Sequence, residues 1–237
     1  MKLSTVMLVL TGILFLGVLT AYNLSLKAAY AKGTFRNRFG EHTFRQLNNV
    51  KQIQVRSANM MGLSIEQGDQ EGVWINDRVK NLVKVKQSGE TVIVDLINAD
   101  SAGYRLVNSG DVVVIVNKLN QLSTENRQLK GKEADNYGGE VNIIGLRGES
   151  FTMLIDEQSS VNMTDSKIRR FKAKIKGDRH WSGLMVSSSN HFDTAYFDVM
   201  GKSSLQLQNP DIKVPYYKFG DSSRVELWGR SAQRVSN

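Results

Sequence analysis

Residues 196–207 read YFDVMGKSSLQL, residues 216–227 read YYKFGDSSRVEL, and residues 152–163 read TMLIDEQSSVNM. The letters differ, but one skeleton runs through all three: apolar, one residue, apolar, five residues, apolar, one residue, apolar. Phe197, Val199, Leu205 and Leu207 fill it, as do Tyr217, Phe219, Val225 and Leu227, and Met153, Ile155, Val161 and Met163. Between them Ala173, Ile175 and Trp181 occupy three of the four places, with Gly183 at the last. Upstream, Val114, Val116, Leu122 and Thr124 fit, and Val141 and Ile143 supply the second half of a copy whose first half falls on Glu133 and Asp135. The copies start at 114, 133, 153, 173, 197 and 217, a period near 20 residues with one step of 24.

Alternation at period 2 is the signature of a strand with one buried face. A constant repeat of paired strands reads as a solenoid, because no single coil can bury its apolar residues alone. The expectation is an all-β, single-domain parallel β-helix of about 20 residues per coil. Equivalent strands of successive coils would pair about 4.8 Å apart. The five-residue spacers suit corners: Gly177-Asp178, Gly201-Lys202-Ser203-Ser204 and Gly220-Asp221-Ser222-Ser223 combine a residue tolerant of φ > 0 with side chains that bond the local backbone. The four extra residues between 173 and 197 would bulge as a loop, with HWSG (180–183) and SSSN (187–190) as the candidates. An antiparallel sandwich is the competing reading of the same alternation, but sandwiches seldom keep strand spacing so constant.

The upstream region also alternates, at Val50-Ile53-Val55, Leu63-Ile65, Val73-Ile75, Val83-Val85 and Val92-Val94, punctuated by Gly68-Asp69, Asn76-Asp77 and Ser88-Gly89. Only Asn117 to Leu129 could be argued as a helix, and its leucines fit the strand repeat better. Around these strands, FRQLNNVKQIQV, LSIEQGDQEGVWIND and VKVKQSGETVIVDL resemble the start of the bacterial head-GIN domain, an auto-transporter-adhesin type of family. Leu63, Ile65, Gln67, Gly68, Asp69, Val73 and Ile75 match its second and third elements, and Gly89, Val92 and Val94 its last. The resemblance covers roughly residues 44 to 230, although the family's later coils are richer in Gly and Ser than Val141 to Leu207. It implies an envelope-associated β-helical domain of a Bacteroidetes-like bacterium and offers no catalytic residues to carry over.

The N-terminus is of a different kind. Between Lys2 and Lys27 lie 24 residues without a charge. As a helix they would span about 36 Å, against about 30 Å of hydrocarbon. An uncleaved membrane anchor is the favoured reading. A cleaved signal is the alternative, with Ala29-Tyr30-Ala31 as its processing site. Either way the body of the protein is expected outside the cytoplasm: in the periplasm on an inner-membrane anchor, or exported after cleavage. Lys27, Lys32, Arg36 and Arg38 on the C-terminal flank pull the other way, since the positive-inside rule alone would keep that flank inside. The expected organisation is thus an anchor or signal over 1–32, a connector over 33–43, the β-helix domain over 44–230 and a tail over 231–237.

The 237 residues contain no Cys, which removes disulfides, thiolate metal sites and a cysteine nucleophile. His42, His180 and His191 show no metal-ligand spacing, although Asp178 and Asp193 lie near the last two. No G-x-S-x-G, G-x-G-x-x-G or Walker sequence occurs, and no cofactor is expected. Net charge is +8, falling to a mild excess of 28 basic over 23 acidic residues once the first 32 residues are set aside. The most charged stretch is KIRRFKAKIKGDR, 167–179, with seven bases and one acid. Lys172, Lys174 and Lys176 alternate with Ala173 and Ile175, so a strand would set them on one outer face. With Arg169 and Arg170 they form a candidate face for an anionic glycan, a lipid headgroup or an envelope protein, the competing reading being a solvated face that deters edge pairing. Nucleic acid is not expected, because no aromatics interleave the bases for stacking.

The reading that follows is a non-catalytic binding, adhesion or structural module of the bacterial envelope. The alternative is a polysaccharide-processing enzyme on the same scaffold, for which Asp156, Asp178, Asp198 and Asp221 fall near equivalent coil positions. Trp228, Pro210 and Pro215 are expected to cap the open end of the solenoid, and Tyr216 or Trp181 could stack on a sugar.

Overall fold

The structure is a computed structural model and describes residues 3–32, 38–97, 107–127 and 139–233. The chain divides into two compact units, Met1–Glu41 and His42–Asn237. The first holds helix α1, Leu3–Lys32. Its segment Ser4–Ala31 has a mean hydropathy of 2.2 and no burial within the structure, so it is long and apolar enough to cross a membrane. Two of its threonines are satisfied inside the helix: Thr11 Oγ1 donates to Met7 O (2.9 Å) and Thr20 Oγ1 to Leu16 O (2.8 Å). That is the arrangement a hydrocarbon environment requires.

The second unit is all-β up to a final single turn of helix. Its strands are β1 (His42–Gln46), β2 (Gln52–Val55), β3 (Leu63–Gln67), β4 (Gly72–Asn76), β5 (Val83–Ser88), β6 (Thr91–Leu96), β7 (Val112–Val116), β8 (Gln121–Thr124), β9 (Glu140–Ile144), β10 (Arg147–Ile155), β11 (Ser160–Thr164), β12 (Lys167–Val186), β13 (His191–Gln208), β14 (Asp211–Phe219) and β15 (Arg224–Trp228), followed by α2 (Arg230–Gln233). From β8 onward the chain winds as a right-through solenoid with every pairing parallel. Two ladders result. One runs β8-β10-β12-β13-β14 and the other β9-β11-β12-β13-β15, and β12 and β13, 20 and 18 residues long, turn the corner between them.

The opening skeleton is the cross-section of one coil. Met153, Ala173, Phe197 and Tyr217 are Cα partners in sequence, as are Ile155, Ile175, Val199 and Phe219. On the second ladder Val161, Leu184, Leu205 and Val225 follow one another, as do Met163, Val186, Leu207 and Leu227. These columns form the core: their first three members lie at 0–2 % exposure, whereas on the last coil Tyr217, Val225 and Leu227 are half-buried and Phe219 is 41 % exposed. A third column was not read from the sequence. Phe151, Phe171 and Phe192 lie one above another, with ring centroids 6.0 and 4.8 Å apart, and all three are buried.

The corners follow from the expected turn chemistry. Gly201 sits at φ +64°, where its missing Cβ leaves room for the carbonyl of Gly177 on the coil beside it. Ser203 Oγ donates to Met200 O, and Ser223 Oγ to Gly220 O, both at 2.6 Å. At the opposite corner the buried Asn190 clips two coils together: its Nδ2 donates to Met163 O (2.7 Å) and its Oδ1 accepts from Ser166 N (3.1 Å).

Three parts of the repeat are corrected by the coordinates. Leu184 and Val186, not Trp181 and Gly183, complete the second half of the β12 coil. The four extra residues are split: three enter at Asp178–Trp181, where the register shifts between Gly177 and Ser182, and one at Ser187–Asn190. Trp181 is accordingly 52 % exposed rather than in the core. Val114 and Val116 belong to the second ladder, and Leu122 to the first, beneath Met153. The two half-skeletons are identical, so the repeat alone cannot tell one face from the other. The half-copy placed on Glu133 and Asp135 lies outside the described residues.

The upstream strands extend both ladders but not in chain order. β2 and β3 stack under β8 and β9, while β6 and β7, which come later in the chain, stack under β2 and β3. The chain therefore steps back to add a coil below its first one. It then crosses over that coil through Asn117–Asn120 to reach β8. Antiparallel strands finish this end: β5 on β6, β4 on β7 and β1 on β4. Their reversed direction departs from the uniformly parallel expectation; of the three pairs, β5 and β6 form a hairpin, turning at Gly89 with φ +59°. At the other end Trp228 does not act as a plug; it is 51 % exposed beside Gln208. Arg230 and Ser231 of α2 instead share a small cleft with Ile212, Pro215 and Tyr217. Pro215 stands in β14, which among the described residues pairs on one side only, where a missing N–H costs no ladder bond.

Candidate ligand-binding face

Strand β12 carries the basic stretch, and its alternation does what the spacing demands. Phe171, Ala173 and Ile175 are buried, and Arg170, Lys172, Lys174 and Lys176 are exposed between them on the outer side. Parallel register then sets a neighbour on each coil beside every base. Lys172 lies between Thr152 and Tyr196, with Tyr216 beyond, and Lys174 lies between Leu154 and Asp198, with Lys218 beyond.

Tyr196 and Tyr216 stack with centroids 4.6 Å apart and rings within 5° of parallel, while remaining 43 % and 50 % exposed. Two aromatic faces standing open to solvent next to a row of cations are suited to a ligand with both apolar ring faces and anionic groups. The repeat held the signal for them, since each tyrosine immediately precedes an inward position of the skeleton. They therefore point outward.

The five bases named from the sequence are not equivalent. Arg170, Lys172 and Lys174 share the face and make no ion pair among the described residues. Lys176 is on the same face but bonds Asp178 at 2.8 Å, and that hydrogen bond raises the lysine above its ordinary value. Arg169 stands apart at the corner, paired with Glu149 at 2.8 Å. Beside it Asp193 is held below the usual carboxylate range by a hydrogen bond from Lys213 (2.7 Å), with Lys213 raised in turn.

The four acids considered for an enzyme fall in different settings. Asp156, Asp178 and Asp221 lie at one corner on separate coils, whereas Asp198 lies mid-strand between Lys174 and Lys218. His191 bonds Asp211 (2.6 Å) and has Asp193 at 3.7 Å, but His180 does not join them. Among the described residues no group of three or more His, Asp or Glu has the arrangement of a metal site.

No family model matches the chain, so the head-GIN resemblance rests on the matched residues between Leu63 and Val94. No curated protein matches it with significance. Among solved structures, the chain is similar to a "putative adhesin" from Bacteroides fragilis at 11 % identity and a TM-score of 0.44, covering 79 % of this chain and 96 % of that one. A second "putative adhesin", from Parabacteroides merdae, is similar at 9 % identity and a TM-score of 0.37, covering 79 % and 95 %. A "putative lipid binding protein" from Parabacteroides distasonis is similar at 14 % identity and a TM-score of 0.29, covering 80 % and 95 %.

Proposed function

We propose that the β-solenoid is a non-catalytic binding module of the bacterial envelope, displayed outside the cytoplasm by its N-terminal helix, and that its ligand is an anionic glycan. The observation that carries this reading is the outward row of Arg170, Lys172 and Lys174, without ion-pair partners among the described residues, beside the open stack of Tyr196 and Tyr216. Bases supply charge-assisted hydrogen bonds to carboxylate or sulfate groups, and tyrosine faces accept the apolar side of a sugar ring. A solenoid suits such work because its coils repeat these contacts along one rigid surface.

The test is binding of the purified chain to an array of acidic and neutral glycans, alongside vesicles of anionic lipid, in wild type and with Lys172 and Lys174 both changed to Glu. The expected result is binding to acidic glycans, weakened at least about tenfold by the double charge reversal and by raised salt. Binding that ignores the reversal sinks the assignment to this face. Binding to vesicles alone moves the ligand to a lipid headgroup.

A further inference from the structure

A second cationic site begins where strand β12 enters this face, at the place where the chain crosses over its first coil. Gln67, at the end of β3, ties three segments together: its Nε2 donates to Asn117 O (2.7 Å) and its Oε1 accepts from Arg147 N (2.5 Å). Asn117, with its amide turned to donate, reaches Asp69 O at 3.1 Å. The crossover is thereby pinned against the side of the coils instead of following them. Between it and the starts of β10, β12 and β13 it leaves an open groove of about 570 Å³, within the range of about 300–1,000 Å³ usual for small-ligand sites.

Lys118, Arg147, Lys167 and Arg169 line the groove, against the acids Glu149 and Asp193. Both acids are already committed, Glu149 to Arg169 and Asp193 to Lys213. Lys118, Arg147 and Lys167 make no side-chain hydrogen bond or ion pair among the described residues. Arg147 and Lys167 are moreover Cα partners on adjacent strands. Like charges directly opposite one another are destabilising, and on the neighbouring row of the same corner the chain alternates sign instead, Glu149 beside Arg169 and Asp193 beside Lys213. An uncompensated pair of bases in register, facing a cavity with a third base on its far wall, is arranged for an anion shared between coils.

We infer that this groove binds an oxyanion group of an acidic saccharide, a carboxylate or sulfate ester, held by Arg147 and Lys167 from one side and Lys118 from the other. Arg147 gives the planar fork that fits such groups in pairs of hydrogen bonds, and the lysines add point charges. The ligand class rests on the reading given under Proposed function, but the residues are different, so the two fail separately.

The experiment is calorimetric titration of the full chain, held in nanodiscs of neutral lipid, with a sulfated, uronate-containing tetrasaccharide, with inorganic sulfate, and with phosphatidylglycerol vesicles. Four proteins are compared: wild type, Arg147→Ala with Lys167→Ala, Lys172→Ala with Lys174→Ala, and Lys118→Ala, the last of which reads the crossover wall without altering any strand. The expected outcome is that Arg147→Ala with Lys167→Ala weakens tetrasaccharide binding by about a hundredfold, roughly tenfold for each charge-assisted contact. Lys118→Ala should cost about tenfold, and sulfate should compete. Full retention of affinity in the groove variants, with loss only in the Lys172 and Lys174 variant, overturns the groove site and leaves the outer face standing. Absence of saccharide binding in wild type overturns both, and vesicle binding that depends on Arg147 replaces the saccharide with a phospholipid headgroup.

Discussion

Phe171 shows what a single residue does in this fold. It sits at 0 % exposure between Phe151 and Phe192, with Phe197 edge-on at 5.8 Å, so it touches aromatic rings on both adjoining coils. Truncating it removes dispersion contacts on both sides and leaves a void that rigid ladders cannot close. Phe171→Ala is expected to cost about 3–5 kcal/mol of stability in a urea-unfolding experiment. The exposed residues one position on behave differently. Lys172→Ala should leave unfolding nearly unchanged, since surface substitutions generally fall within about 0.5 kcal/mol. The outward direction of Lys172, Lys174 and Lys176 was legible from alternation alone. The pairing of Lys176 with Asp178 and of Arg169 with Glu149 was not, because each depends on where a neighbouring coil stands.

At the scale of elements, corners decide stability as much as strands do. Asn190, at 1 % exposure, satisfies the carbonyl of Met163 and the amide of Ser166 on the coil beside its own. Asn190→Ala leaves the Ser166 amide without its partner, while Met163 O keeps its bond from Ser187 N (3.1 Å), an expected loss of about 1–3 kcal/mol. Hydrogen exchange would read it locally, as faster exchange at Ser166. Gly and Ser at the spacers announced corners in the sequence. The division of the insertion between Asp178–Trp181 and Ser187–Asn190 was hidden, because an alternating pattern tolerates a shift of its frame. Trp181 looked inward for the same reason: at 181 and 183 it and Gly183 satisfied a period of two that the strand had already broken at Gly177.

For the molecule as a whole, the spacing of 153, 173, 197 and 217 held the architecture of the C-terminal coils in plain view. The order of the first coils was out of reach. β2 pairs with β8, and β6 with β2, through connections whose lengths follow no repeat. The outer face was half legible for this reason: its bases lie on one strand, and its tyrosines are displaced by one and two coils. The groove was legible only in part. Arg147 and Lys167 are one period apart, but Lys118 reaches them through the crossover, which nothing in the local pattern announces.

Both proposed sites depend on successive coils lying in parallel register, since that alone sets Lys172 beside Tyr196 and Arg147 beside Lys167. Because the chain has no Cys, introduced pairs report on register without background. Thr152 and Lys172 are Cα partners on adjacent strands, a separation of about 4.8 Å that a disulfide spans, whereas Thr152 and Lys174 are offset by two residues, about 8 Å, which it does not. Oxidation of Thr152→Cys with Lys172→Cys should give a quantitative intramolecular disulfide, and Thr152→Cys with Lys174→Cys should stay reduced. Equal or reversed cross-linking of the two pairs would contradict the stacked parallel coils and, with them, both binding sites.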